Sequence, residues 1–346
     1  MPAPAPSAHA PGAGIPLILA TLLSWASVPL FLKFFATPDR LTGVAPIDGW
    51  EANGWRYGLS ALFWLPLLAF AHVRGKLPRS IFLAALVPSI FNLVGQTCFA
   101  WCPYFLDPGF FTFVFRVQIV FVTLGAWVLF PHERATLRSP WFWVGAALVV
   151  VGSVGLVLFK TPVPLVPGAP ISATADPSIW AILLAVASGV VFAGYGLAVR
   201  RNMHGYSPVL AFGVICQYTA VGTLILMLLL GRTRGEHVLS FDGFQWTMLA
   251  GSSMIGIAIS HVLYYAALTR LGVAVSMGII QLQPILTGVA SMLIFDEQLN
   301  LAQWVSGLVG VAGAILILRA GRLGPRPPRT IVADRAEAAA LSDAGA

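Results

Sequence analysis

A chain of 346 residues that is 58% hydrophobic and 10% charged, with mean hydropathy +0.84, has too few charges to coat a water-facing surface. Soluble domains carry about 25% charged residues, so this composition defines a polytopic membrane protein. The formal charge of +7 then reads as basic loops facing anionic lipid, and no nucleic-acid partner is expected. Cys98, Cys102 and Cys216 all fall in apolar segments and read as small buried residues, without metal-ligand spacing or a disulfide framework.

Residues 1–14 carry no basic residue ahead of the first apolar run and no cleavage site, so they read as a disordered leader before an uncleaved span. A bilayer core of about 30 Å takes about 20 apolar residues per helix. On that rule ten spans are expected. The first half gives 15–35, 55–72, 81–101, 110–130 and 141–159, and the second gives 179–199, 209–230, 246–268, 273–295 and 301–318. Polar loops fall at 37–54 and 231–245, a Pro-rich connector at 161–178, and an Arg-, Pro- and Ala-rich disordered tail at 319–346.

Lys and Arg divide unevenly between alternate loops. One side collects Arg74, Lys76, Arg79, Arg134, Arg138, Arg200, Arg201, Arg270 and the tail; the other collects Lys33, Arg40, Arg56, Lys160, Arg232 and Arg234. The richer side is cytoplasmic, which places both termini inside. Five spans per half force the second half to enter from the opposite face. At a constant offset of 164, Thr123, Ala126, Leu129 and Glu133 match Thr287, Ala290, Leu293 and Glu297, all on one helix face. The expected fold is therefore an all-α integral membrane protein with ten transmembrane helices as two inverted five-helix repeats, 15–160 and 179–318. Such repeats are the basis of alternating access.

Residues 267–318 hold two long apolar segments joined by Asp296-Glu297-Gln298. "YYAALTRLG" ends one span, Pro284 lies within the next, Glu297 follows in an acidic turn, and the last span carries Gly307, Gly310 and Gly313. With "WASVPLFLK" (25–33) and "WRYGLSAL" (55–62) in the first half, the chain resembles the EamA-type members of the drug/metabolite transporter superfamily. The resemblance implies ten spans, both termini cytoplasmic and a solute path between the halves of a cell inner membrane protein, more often an exporter than an importer. The fourth span, "FFTFVFRVQIVFV", departs from the pattern: it is Phe-rich, carries Arg116 and lacks the mid-helix proline.

Arg116 is the sharpest signal, because an unpaired charge within a span costs at least about 2.5–3.5 kcal/mol. It either lines a wet cavity as a planar fork for an anionic group or is held by Gln118, Asn92, helix-end carbonyls or Asp107. Lys33 and Arg56 lie near span ends and snorkel to the interface unless they face inward and join Arg116. Asn92 and Gln96 share a face of the third span and serve either helix pairing or solute contact. Gln281 and Gln283 flank the approach to Pro284, which removes a helix donor and frees a carbonyl, so a substrate site is expected there. His261 can titrate near neutrality or simply pack. Trp25, Tyr264 and Tyr265 offer stacking surfaces or helix packing. Gly152, Gly155, Gly307, Gly310 and Gly313 read as close-approach positions.

No predicted span carries a deep Asp or Glu, which favours an anionic, zwitterionic or neutral solute over a lipophilic cation. No phosphate-binding loop, H-E-x-x-H or G-x-S-x-G motif occurs, so neither ATP coupling, a metal, a cofactor nor an enzymatic activity is expected. The reading is a secondary transporter, an exporter of a small metabolite or drug-like solute, working as a monomer or homodimer among membrane lipids. An importer of the same fold, an integral membrane enzyme and a non-transporting membrane partner are the alternatives.

Overall fold

A computed structural model of the chain describes residues 14–37, 46–130, 139–159, 178–203, 205–296 and 299–322. Most of the expected leader, connector and tail, together with Glu133 and Glu297, lie outside the described residues. Within them the first half folds as α1 (Gly14–Ala36), α2 (Gly49–Val73), α3 (Ser80–Phe105), α4 (Pro108–Phe115), α5 (Gln118–Leu129) and α6 (Pro140–Leu158). The second half folds as α7 (Ile179–Asn202), α8 (Pro208–Leu230), α9 (Gly243–Ser253), a π-helical turn (Met254–Ile259), α10 (Ser260–Ile280), α11 (Gln283–Phe295) and α12 (Leu301–Arg322). No strand occurs among the described residues.

Among the described residues, seven stretches are long and apolar enough to cross a membrane: α1, α3, Pro108–Leu129, α6, α7, α8 and Gly243–Ala267. The shorter helices Gln283–Phe295 and Leu301–Ile317 are also apolar. The side chains facing outward are Leu, Val, Ile, Phe and Trp, including Leu83, Val151, Trp180 and Leu293, each more than half exposed. In water such a surface would drive aggregation; against lipid it is the expected coat.

Three expectations about the spans need correction. The second helix starts at Gly49 rather than 55, because Asp48 caps it, its side chain accepting from the Trp50 and Glu51 amides. The fourth span is broken at Arg116–Val117, although it has no proline there. The eighth and ninth spans are not separated by a loop at 269–272, since the backbone is helical from Ser260 to Ile280 and breaks only at Gln281–Leu282.

Helices of one half pack on their counterparts in the other, and they do so antiparallel. Along α2 and α8, Gly54 meets Met227, Gly58 meets Leu224, and Leu68 meets Gly213. Along α6 and α12, Gly145 meets Gly313 while Gly152 meets Ser306 and Gly310. Gly109 of α4 meets Gly288 of α11, and further along Arg116 meets Ile280. In addition α1 lies along α10 just as its counterpart α7 lies along α3. Opposite chain directions in every self-facing pair make the two halves an inverted repeat.

One face of the bundle is tied by carboxylates. Glu51, 1% exposed, accepts from the Thr233 amide and hydroxyl, both at 2.6 Å, and from the Gly235 amide at 3.2 Å. Asp48 also accepts from the Arg232 amide at 2.6 Å. Glu51 is thus the buried carboxylate the span count placed in a loop, and its oxygens are committed to the 231–235 segment. Glu51→Ala should strand those donors and destabilise the fold by about 2 kcal/mol. Hydrogen-exchange mass spectrometry should then show faster exchange at Thr233 and Gly235 with α6 and α12 unchanged; uniform exchange across the chain would contradict this local tie.

Candidate functional site

The site is built on carbonyls that prolines leave without a partner. A helical proline supplies no N–H to the carbonyl four residues earlier. Pro284 therefore releases the Ile280 carbonyl, and Pro29 within α1 releases that of Trp25. Both are taken up by one short chain of side chains. Arg116 Nη1 donates to the Ile280 oxygen at 3.3 Å and Nη2 donates to Gln283 Oε1 at 2.8 Å. Gln283 Nε2 in turn donates to the Trp25 oxygen at 2.9 Å, and one turn on Thr287 donates to the Ala26 oxygen at 3.0 Å.

The break in the fourth span arises differently. The Arg116 and Val117 amides turn back three residues, to Phe113 and Val114, in the tighter 3₁₀ pattern. That leaves the Thr112 carbonyl open, and Arg116 Nε donates to it at 3.4 Å. The second half repeats the tight turn, the Leu282 amide donating to Ile279. Arg116 and Ile280 are separated by 164 residues, the repeat offset, so each faces its own counterpart. The two broken helices thus touch at their breaks, on the axis relating the halves, with Arg116 joining them. Arg116 is 4% exposed and its three nitrogens all meet neutral acceptors. None of these is Gln118, Asn92 or Asp107.

Aromatic rings extend this centre. Trp25 Nε1 donates to Ser260 Oγ at 3.0 Å, and its ring tilts onto Tyr264 at 4.8 Å and edge-on to His261 at 5.5 Å. His261 lies flat on Phe212, 4.5 Å between centroids, with Nδ1 3.0 Å from the Ile257 oxygen. The Tyr195 and Tyr265 hydroxyls pair at 2.6 Å. The structure thus brings Trp25, His261, Tyr264, Arg116 and Gln283 into one neighbourhood. Gln281 is buried beside the break, and its Oε1 has no donor.

Asn92 and Gln96 belong to a second cluster between α2, α3 and α8. Asn92 Nδ2 donates to Tyr57 at 3.2 Å and to Thr219 at 3.0 Å, while its Oδ1 is buried without a donor. The Gln96 carbonyl accepts from Asn53 Nδ2 at 2.9 Å.

Snorkelling does not describe Lys33 or Arg56. Lys33 is 3% exposed with its Nζ 3.9 Å from Asp107, because the chain entering α4 folds over the end of α1. Arg56 is 0% exposed, about two turns beyond the α2 start that the span count missed. Asn53 and the π-helical turn were not singled out from sequence, and Thr287 was read there only as the repeat match of Thr123. A proline-poor stretch with Gly256 amid β-branched residues gives no visible sign of a π turn, although such turns concentrate at functional sites.

A sequence profile described as the EamA-like transporter family matches residues 12–158 and again 179–319. No curated protein is detectably similar to the chain. Among solved structures 23 chains match. One, described only as "Crystal structure of protein", superposes with a TM-score of 0.57 at 17% identity, over 91% of this chain and 99% of its own. That is a likeness of fold.

Proposed function

Because this chain belongs to the EamA-like transporter family, we propose that it is a secondary transporter whose ten spans form two inverted five-helix units rocking about a central site. The observation that carries this reading is the meeting of the two broken helices at Arg116 and Ile280. Discontinuous helices at a repeat interface are the usual construction of a transport site, since backbone groups freed from a helix are tolerated at membrane depth where they line a path. Opening toward either face requires these contacts to part, so the Arg116–Gln283 strut is the closed-state link between the halves.

The solute we propose is small and anionic, zwitterionic or neutral. Buried cations at Arg56 and Arg116 meet neutral partners, while the buried carboxylate of Glu51 is committed to backbone donors. Asn92 and Gln281 offer acceptors without donors, and the Trp25–His261–Tyr264 rings supply an apolar wall. Export across the cytoplasmic membrane, with both termini inside and an ion or solute gradient as driving force, completes the reading.

Counterflow in proteoliposomes tests it. Vesicles preloaded with an unlabelled amino acid, carboxylic acid or sugar should accumulate the labelled form when the purified protein is present, saturably and without ATP. Tetraphenylphosphonium should not be accumulated. No counterflow across all three solute classes would overturn the assignment, and counterflow of the cation alone would overturn the solute class.

A further inference from the structure

Arg56 differs from Arg116 in one respect that decides its use. Both are buried, but Arg116 has an acceptor at each nitrogen, whereas Arg56 has one only at Nη1, 3.4 Å from Asn53 Oδ1. Its Nε and Nη2 are buried with no hydrogen-bond partner. The Asn53 amide is oriented by its own bond to the Gln96 carbonyl, so it turns its oxygen to Nη1 and leaves the opposite edge bare. Nε–H and the adjacent Nη2–H point the same way and are spaced to match the two oxygens of a carboxylate.

That edge is covered by the second half. The π-helical turn packs Gly256 against it: a Cβ there would stand 3.5 Å from Nη2 and 2.8 Å from Val28 Cγ2, so a ligand reaches the edge when the turn and α2 part. Ser253, just before the π turn, donates to the Arg56 carbonyl at 2.6 Å, and Ser60 bonds Ser253, which fixes α2 to the turn. The guanidinium is thereby held between the halves rather than within one of them.

We propose that the Nε/Nη2 edge of Arg56, facing the Gly256 π turn, is the binding point for a solute carboxylate. This rests on the transporter reading and narrows its solute class to carboxylic acids, amino acids included. A buried cation lacking a negative partner is retained at a cost to stability, and a carboxylate ligand supplies the missing charge.

Thermal unfolding of the full-length protein in detergent provides the test, with acetate, pivalate, benzoate, indole-3-acetate and glycine as probes. Acetamide, pivalamide, benzamide, indole-3-acetamide and glycinamide serve as neutral-headed controls, and sodium chloride as the ionic control. At least one carboxylate should raise the wild-type Tm saturably while its amide and chloride do not. Arg56→Gln should abolish that shift and yet unfold at a higher temperature than the ligand-free wild type. Arg56→Lys, which keeps the charge and loses the fork, should weaken the titrated affinity at least tenfold. Equal shifts from acid and amide, an effect of chloride alone, no shift from any probe, or an undiminished shift in Arg56→Gln would each overturn the proposal. Should Arg56→Gln fail to fold, the acid–amide contrast and Arg56→Lys decide. Carboxylate binding without counterflow would refute transport and leave this site standing; counterflow confined to neutral solutes would do the reverse.

Discussion

Gln283→Leu is expected to destabilise the protein by about 3 kcal/mol or more and to abolish transport. The substitution nearly conserves volume, so packing is not what fails. It strands two buried partners at once: Arg116 Nη2 loses its 2.8 Å acceptor and the Trp25 carbonyl, already without a helical donor because of Pro29, loses the 2.9 Å bond from Nε2. Each buried group left unmet costs about 1–3 kcal/mol, more when charged. Arg116→Met in the Gln283→Leu background should recover part of the loss, because the charge that had lost its acceptor is then gone. A double-mutant cycle on detergent-solubilised Tm values reads this directly, with a coupling of at least about 1 kcal/mol expected between residues in one network. Additive effects would show that the strut does not join the two halves.

What could be read beforehand followed from chemistry that is local in the chain. Pro284 announces an orphaned carbonyl wherever it lies in a helix, and Arg116 announces a buried charge wherever it lies in a span. The partner of each was illegible, because Gln283 is 167 residues from Arg116 and Trp25 is 258 residues from Gln283. Only the antiparallel pairing of the halves brings them together. Span ends were the weakest part, for a related reason. Hydropathy counts residues against a slab of lipid, so it placed Lys33 and Arg56 at the interface. Asp107 and the chain before α4 instead cover Lys33, and the Asp48 cap extends α2 far enough to bury Arg56. The break at Arg116–Val117 left no signal in composition, since it consists of two amides shifting by one carbonyl. The glycines, by contrast, were legible as close-approach positions, though not which backbone each would meet.

Those glycines carry the second large expectation. Gly152→Ala should cost about 1–3 kcal/mol or more and reduce the yield of folded protein sharply, although alanine is the better helix former. A Cβ at residue 152 would stand 2.5 Å from the Ser306 carbonyl oxygen, 2.6 Å from the Gly310 nitrogen and 2.8 Å from its Cα. All three are backbone atoms of α12, so no rotamer change relieves the clash and the two helices must separate. Overpacking of a close-packed interface carries a penalty of this size, and in a bilayer no hydrophobic gain between helices offsets it, because association there rests on close van der Waals contact. Gly313→Ala should behave alike, since its Cβ would meet the Gly145 oxygen at 2.5 Å from the opposite direction. Gly196→Ala is the control: it is helical, exposed, and has nothing within 4 Å of its Cβ position. There the change should be neutral or stabilise by up to about 1 kcal/mol. The comparison is made by fluorescence-detected size exclusion after heating, on all three variants in one detergent. Equal losses at 152 and 196 would mean that the α6–α12 seam is not a tight backbone contact between the halves; a loss confined to 152 and 313 would place the tight contact there.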